Sequence, residues 1–272
     1  MTPDEYCAAH AAPPGSSLHY ALLFLADAPR RGITALAALA KELAKASRDT
    51  SDAGVAAAQL AWWRSEVGAL EVGTPQHPVS RALADHARAV SRDALLSLVD
   101  AAQADLARPR HALFASVAAH CESWGGTLAA LSAQLARPGA SALPDRARRI
   151  GATLRLGKIL QQVGEDARRN RIYLPQEDLA RYDVTPAGIL QRRPGAGFIP
   201  LMEFQAARFA QLSREATMDL TRDERRALRP ALILSRLQSA LLDEIERDGF
   251  RVLEQRVSLT PVRKLWIAIR TK

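Results

Sequence analysis

The spacing of apolar residues constrains this chain more than any other feature. Leu, Ile, Val and Ala recur at intervals of three and four along most of the sequence, and the strict alternation that builds strands is almost absent. Ala, Leu and Arg, all good helix formers, dominate the segments with that spacing. The pattern predicts an all-α chain, with helices near 16–26, 30–48, 52–71, 78–106, 111–137, 145–169, 197–217 and 222–248 and shorter pieces at both ends. Breaks at Pro29, Gly73 to Pro78, Pro109, Pro138-Gly139, Pro175 and Arg193-Pro194-Gly195 are turn chemistry, and none is long enough for a domain linker. With 272 residues, 48% hydrophobic and 24% charged, the chain can bury one core of that kind, so a single domain over 1–272 is expected.

Charge sets the next constraint. There are 37 Lys and Arg against 29 Asp and Glu, a formal charge of +8. That excess asks for an anion, which nucleic acid, an acidic membrane or a phosphorylated small molecule would each supply. Nucleic acid is the least favoured partner, because aromatic residues make up 5% of the chain and no recognition motif is present. The two cysteines, Cys7 and Cys121, stand far apart and outside any CxxC pattern, which fits a reducing compartment. The N-terminus carries acids where an export signal needs bases, and the apolar stretch 18–26 is too short to span a bilayer. The expected location is the cytoplasm, with peripheral contact at the inner membrane face left open by the basic and apolar segment 262–272. Packing of that segment on its own domain is the favoured alternative.

Familiar chemical signatures are missing: GxGxxG, the P-loop, HExxH and GxSxG are all absent. Asp219 and Asp223 mimic a metal motif, but Thr221 to Glu224 reads better as a capping box opening a helix. Trp62 and Trp63 are expected in the core, and Cys121 as a small buried hydrophobe. Two polar stripes stand out. Arg155, Lys158, Gln162 and Asp166 follow at +3, +4 and +4 and share one helix face, while Lys41, Lys45, Arg48 and Asp52 form another. A solvated helix face is the ordinary explanation of either stripe. After the first, Asn170 sits where a helix can end in the left-handed conformation, followed by Arg171 and Tyr173.

The segments VGEDARRNRIYLP (163–175), QLAWWRSEV (59–67), QHPVSRAL (76–83), GSSLHYALLFL (15–25) and DEIERDGFRVLEQRVSLTPVRK (243–264) together resemble the squalene/phytoene synthase family. The likeness is greatest to its presqualene diphosphate synthase branch, known from bacterial hopanoid biosynthesis. The resemblance is collinear over nearly the whole chain. It implies an all-helical prenyl-synthase fold with a central cavity for farnesyl diphosphate, whose head-to-head condensation needs magnesium held by two Asp-rich motifs.

Collinear matching places the first family motif on Ala44, Lys45 and Arg48, so its three carboxylates are absent and the local charge moves from −3 to +2. In the second motif Lys158, Gln161 and Gln162 replace the expected Asn, Arg and Asp, leaving Glu165 and Asp166 as residual metal ligands. His120 and Ser123 stand where the family has Tyr and Arg. A shifted metal site on Asp49 and Asp52 is disfavoured, because each residue turns the ligand about 100° round the helix. The matched positions instead give a diphosphate-binding set of Lys45, Arg48, Lys158, Arg168, Arg171, Tyr173 and Ser17. The resemblance therefore implies a degenerate relative that binds a prenyl diphosphate or other anionic amphiphile without metal. No cofactor is expected, except Mg2+ if family activity persists. A residually active prenyl transferase and a non-catalytic assembly factor or chaperone remain the alternatives.

Overall fold

Helix starts are written into the chain as side-chain caps. Thr2, Ser16, Asp52, Ser91, Thr185, Thr221 and Thr260 each accept a backbone N–H from the first turn of the helix that follows. In a computed structural model, which describes residues 1–50, 52–107 and 110–271, the chain is all-helical and no strand occurs among the described residues. The first half comprises α1 (Pro3–Ala11), α2 (Ser17–Leu22), α3 (Asp27–Arg48), α4 (Ala53–Val72), α5 (Pro78–His86), α6 (Arg92–Leu106), α7 (Phe114–Cys121) and α8 (Thr127–Ala136). A single π turn, Glu122–Gly126, joins α7 to α8. The second half comprises α9 (Leu143–Gln161), α10 (Val163–Arg168), α11 (Gln176–Arg181), α12 (Pro186–Leu190), α13 (Phe198–Thr217), α14 (Arg222–Ala227), α15 (Arg229–Arg247) and α16 (Pro261–Arg270).

Four of the long helices expected from periodicity are subdivided. The span 78–106 breaks after His86, and Ser91 caps the restart. The span 111–137 contains the π turn, and 145–169 breaks at Gln162, a residue with no breaker chemistry. The span 222–248 breaks at Leu228, two residues before Pro230 opens α15. The break expected at Pro109 lies outside the described residues. Thr221 and Glu224 form the capping box in both directions, and among the described residues Asp219 and Asp223 join no group that could hold a metal.

α3 and α9 organise the interior. Leu36, Leu39 and Leu43 of α3 are fully enclosed with Leu60, Leu95 and Leu98 from α4 and α6. Leu160 of α9 anchors a second cluster with Leu201, Met202, Ile233 and Ile245 from α13 and α15. Each such side chain contributes roughly 1.5–3 kcal/mol on burial, so two clusters of this size hold the two long helices firmly.

The π turn brings α9 close. A Cβ on Gly151 would lie 2.1 Å from the Gly125 carbonyl oxygen, and one on Gly125 would lie 2.2 Å from the Gly151 carbonyl oxygen. Only glycine fits at either position. Gly151→Ala is expected to force the backbones apart at a cost of about 1–3 kcal/mol, read as a lower midpoint in thermal unfolding. An unchanged midpoint would mean the contact does not set the spacing between His120 and Arg155, which sit on either side of it.

Candidate functional site

α10 ends because Asn170 takes φ 56°, the left-handed conformation that Asn tolerates. The chain then turns inward, and Arg171 and Tyr173 become buried. Arg171 Nη1 donates to the Asp105 carbonyl at 2.6 Å and Nη2 to the Ser47 carbonyl at 2.5 Å. Its guanidinium is also 3.5 Å from the Asp105 carboxylate, which is 0% exposed. The Tyr173 hydroxyl donates to the two Asp105 oxygens at 2.8 and 2.9 Å. Burial, and then the charge of Asp105, push the Tyr173 phenol up to about 12, so it stays protonated as a donor. These residues tie the C-terminal ends of α3 and α6 to the turn after α10. Arg171 and Tyr173 were expected to face a diphosphate; they face Asp105 and the backbone instead.

Further cations surround this brace. Arg48, on the last turn of α3, pairs with the buried Asp166 of α10. Burial pushes the Asp166 carboxyl above its usual range, opposed by Arg48, Arg155 and Arg169. Arg155 of α9 donates from Nη2 to His120 Nε2 at 3.1 Å. An arginine can only donate, so His120 is neutral and accepts at Nε2. Burial, reinforced by Arg155 and other cations, holds its pKa down at about 2. The His120 ring stacks on Tyr173 at 5.1 Å, with the Arg155 and Arg48 guanidiniums 5.5 and 5.8 Å from the Tyr173 centroid. Lys158, one turn along α9, donates to Gln161 at 3.1 Å. Burial, and then Arg256, push its pKa down to about 8.

The charges do not balance. Arg48, Arg155, Lys158, Arg171 and Arg256 stand against the carboxylates of Asp105, Asp166 and Glu165, an excess of two positive charges. Arg48 Nε, Arg155 Nε, Arg171 Nε and His111 Nε2 are buried without a hydrogen-bond partner. Buried donors in that state cost free energy that an anion would recover.

The remaining expected site residues fall elsewhere. Lys45 is exposed and lines a groove of about 490 Å³ between α3 and α4, with Glu42, Trp62, Trp63 and His77. It lies one turn before Arg48 and points to a different neighbour. Arg168 is exposed on α10, two residues past Asp166 and about 200° round the helix. Ser17 opens α2, which packs against α15 and α16, and no described hydrogen bond links it to the cluster. Trp63 is buried as expected, whereas Trp62 is 46% exposed. Cys121 is buried, and desolvation pushes its thiol up to about 12, as suits an inert hydrophobe.

Magnesium does not fit the donors present. Asp166 is committed to Arg48, and Glu165 accepts from Gln162 at 2.9 Å with Arg256 at 3.7 Å. Asp49 pairs with Arg169 at 3.0 Å, and Asp52 caps α4, so the shifted site does not assemble either. Among the described residues, no three His, Cys, Asp or Glu side chains are grouped so as to hold a metal.

Arg155, Asp105 and His111 belong to the site and were not singled out from sequence as site residues. Arg155 had a signal, its place on the Lys158 stripe. Asp105 and His111 had none, since they reach the site from the far ends of a connecting segment. A separate groove of about 610 Å³ lies between α7, α9 and α13, lined by Phe114, Cys121, Ala152, Leu156 and Leu212 among others. Leu156 faces it, and Lys158 lies about 200° round the same helix.

Comparison with known proteins places this geometry in context. The squalene/phytoene synthase family profile matches residues 11–263. A phytoene synthase of Arthrospira platensis is 32% identical over 221 residues, covering 75% of this chain and 71% of the relative. A 15-cis-phytoene synthase of Synechocystis is 25% identical over 280 residues, covering 97% and 83%. Among solved structures, a dehydrosqualene synthase in complex with a ligand superposes with a TM-score of 0.80 at 19% identity, covering 99% of this chain and 95% of that one. The squalene synthase HpnC from Alicyclobacillus acidocaldarius gives a TM-score of 0.75 at 18% identity, with 91% and 94% covered. The likeness to these structures shows a shared all-helical fold.

Proposed function

The chain belongs to the squalene/phytoene synthase family, and from that premise we propose that it binds a prenyl diphosphate, or a similar anionic amphiphile, through its own cations and without metal. The observation that carries this reading is the excess of positive charge on the half-buried Arg48, Arg155 and Lys158, together with the unpartnered, buried Nε atoms of Arg48 and Arg155. Lys158 and Arg155 supply the charge for the anion. Neutral His120 holds one arm of Arg155, and the Asp105, Tyr173 and Arg171 brace fixes the floor beneath. Guanidinium and ammonium groups bind a phosphate oxygen directly, so the role of a bridging cation passes to side chains.

Family-type condensation is not part of this reading. Departure of a diphosphate from an allylic carbon depends on charge stabilisation worth several kcal/mol per magnesium contact, and each 1.36 kcal/mol is about tenfold in rate. Labelled farnesyl diphosphate incubated with the protein and magnesium is expected back unconverted. Any presqualene diphosphate or squalene-type product would contradict the reading and favour a residually active transferase.

The pH dependence follows from Lys158. Its pKa in the empty site is about 8 against an ordinary 10.5, so between those values the unfolded chain holds more protons and the empty fold gains stability as pH rises. An anion raises the Lys158 pKa again, so binding takes up a proton above pH 8. Affinity is expected to be flat below about pH 8 and to fall by up to about tenfold per unit above it. Lys158→Gln is expected to remove that slope; a slope that survives would assign the proton to another group.

A further inference from the structure

Outside the cationic cluster, α2 and α16 share one apolar surface that is open to solvent. α16 turns Ile267 and Ala268 inward, while Val262, Leu265, Trp266 and Ile269 form a second stripe at the i, i+3, i+4, i+7 spacing. All four are exposed, Val262 at 78% and Trp266 at 55%. α2 packs against α16, and just past its end Leu23 and Phe24 are exposed as well. Arg229 joins the two patches: its guanidinium lies 3.8 Å from the Phe24 ring centroid, and its Nε donates to the Thr271 carbonyl at 2.9 Å.

The charges around this surface are of nearly one sign. α16 carries Arg263, Lys264 and Arg270 and no acid. Arg236 donates to the Arg270 carbonyl at 3.2 Å, and the Arg270 guanidinium lies 4.5 Å from the Trp266 ring. Lys264 reaches back to the Gly15 carbonyl at 3.0 Å. Among the described contacts, one carboxylate meets this group, Glu244, paired with Arg263. A short helix lying on the protein with a Trp-centred apolar stripe and a basic rim has the chemistry of the headgroup boundary. Among the described residues, no helix is long and apolar enough to cross a membrane.

We propose that this face docks the protein on an anionic lipid bilayer. Phe24, Leu265, Trp266 and Ile269 enter the headgroup boundary, and Arg229, Arg236 and Arg270 face lipid phosphates. The proposal rests on α2 and α16 and is independent of the diphosphate reading, since vesicle binding is measured without soluble ligand.

The test mixes the full chain with phosphatidylcholine vesicles, with and without phosphatidylglycerol, and follows co-sedimentation at low and high salt. The protein is expected to sediment with the phosphatidylglycerol vesicles, to stay in solution with phosphatidylcholine alone, and to be released by salt. The double variant Trp266→Glu with Ile269→Glu should lower binding by about tenfold or more while leaving the thermal midpoint unchanged, since both side chains are exposed. Val72→Glu, at a 73% exposed site on α4, is the control and should bind like the parent. Failure of the parent to bind anionic vesicles, equal binding by the Trp266/Ile269 variant, or equal binding to neutral vesicles would each overturn the proposal. So would concentration-dependent dimerisation that the same variant abolishes while vesicle binding is absent, since that would assign the face to a second copy of the chain.

Discussion

Replacing Arg171 by alanine is expected to lower the thermal midpoint by on the order of 10 °C, the largest stability loss of any single substitution considered. Arg171 contacts the carbonyls of Asp105 and Ser47 and stands 3.5 Å from the Asp105 carboxylate. Its removal takes a donor from the Ser47 carbonyl, leaves the Asp105 carbonyl with the Ala107 N–H, and leaves a fully enclosed carboxylate held by Tyr173 alone. Breaking a buried ion pair on one side costs about 3–5 kcal/mol, because the remaining charge is stranded. Each kcal/mol shifts the midpoint by roughly 2–4 °C in a protein of this size class, which gives the stated fall. Removing the whole network should cost less than breaking it. A triple variant, Arg171→Met with Asp105→Leu and Tyr173→Phe, is expected to melt above Arg171→Ala; a lower midpoint would show that the network stabilises by more than mutual satisfaction.

The second large effect is on ligand affinity and carries a smaller stability cost. The double variant Arg155→Ala with Lys158→Ala should weaken prenyl diphosphate binding by about a hundredfold or more, taking charge-assisted hydrogen bonds at about 1.5–3 kcal/mol each and 1.4 kcal/mol per tenfold. Arg155 helps to hold Asp166 ionised without a direct hydrogen bond to it, and the low pKa of Lys158 shows that its charge is held at a cost. The thermal midpoint of the empty protein should therefore fall by less than that of an Arg48→Ala variant. Arg48 contrasts with them, since its loss strands Asp166 and should reduce both stability and affinity. Unfolding without loss of affinity in the double variant would reverse these assignments.

Much of the fold was legible because the rules that set it are local. The 3.6-residue spacing, the Thr221 to Glu224 capping box and the left-handed Asn170 all act within one or two turns, and all are present. The breaks at Gln162 and after His86 were not legible, since neither carries Pro or Gly at the break and packing against other helices decides them. The candidate site was legible in part. Helix spacing brought Arg155, Lys158 and Asp166 to one region, and matching to the family placed Arg48 opposite. Direction failed where one residue of register matters: Lys45 points into the α3 to α4 groove and Arg168 into solvent. The contacts of Arg171 and Tyr173 with Asp105 were not legible, because Asp105 lies 66 and 68 residues away and leaves no mark on the local sequence.

The formal charge of +8 gains a more particular meaning from the structure. Part of it is concentrated at the cluster of Arg48, Arg155, Lys158 and Arg171, and part surrounds the exposed stripe of α16. The first part suits a small anion held in a site, and the second suits a charged surface.

Direct anion binding by side chains can be measured by isothermal titration of farnesyl diphosphate into the full chain in EDTA and again in magnesium. Saturable heat is expected in EDTA, with an affinity that magnesium leaves essentially unchanged. No heat in EDTA at high micromolar ligand, or heat that appears only with magnesium, would contradict it.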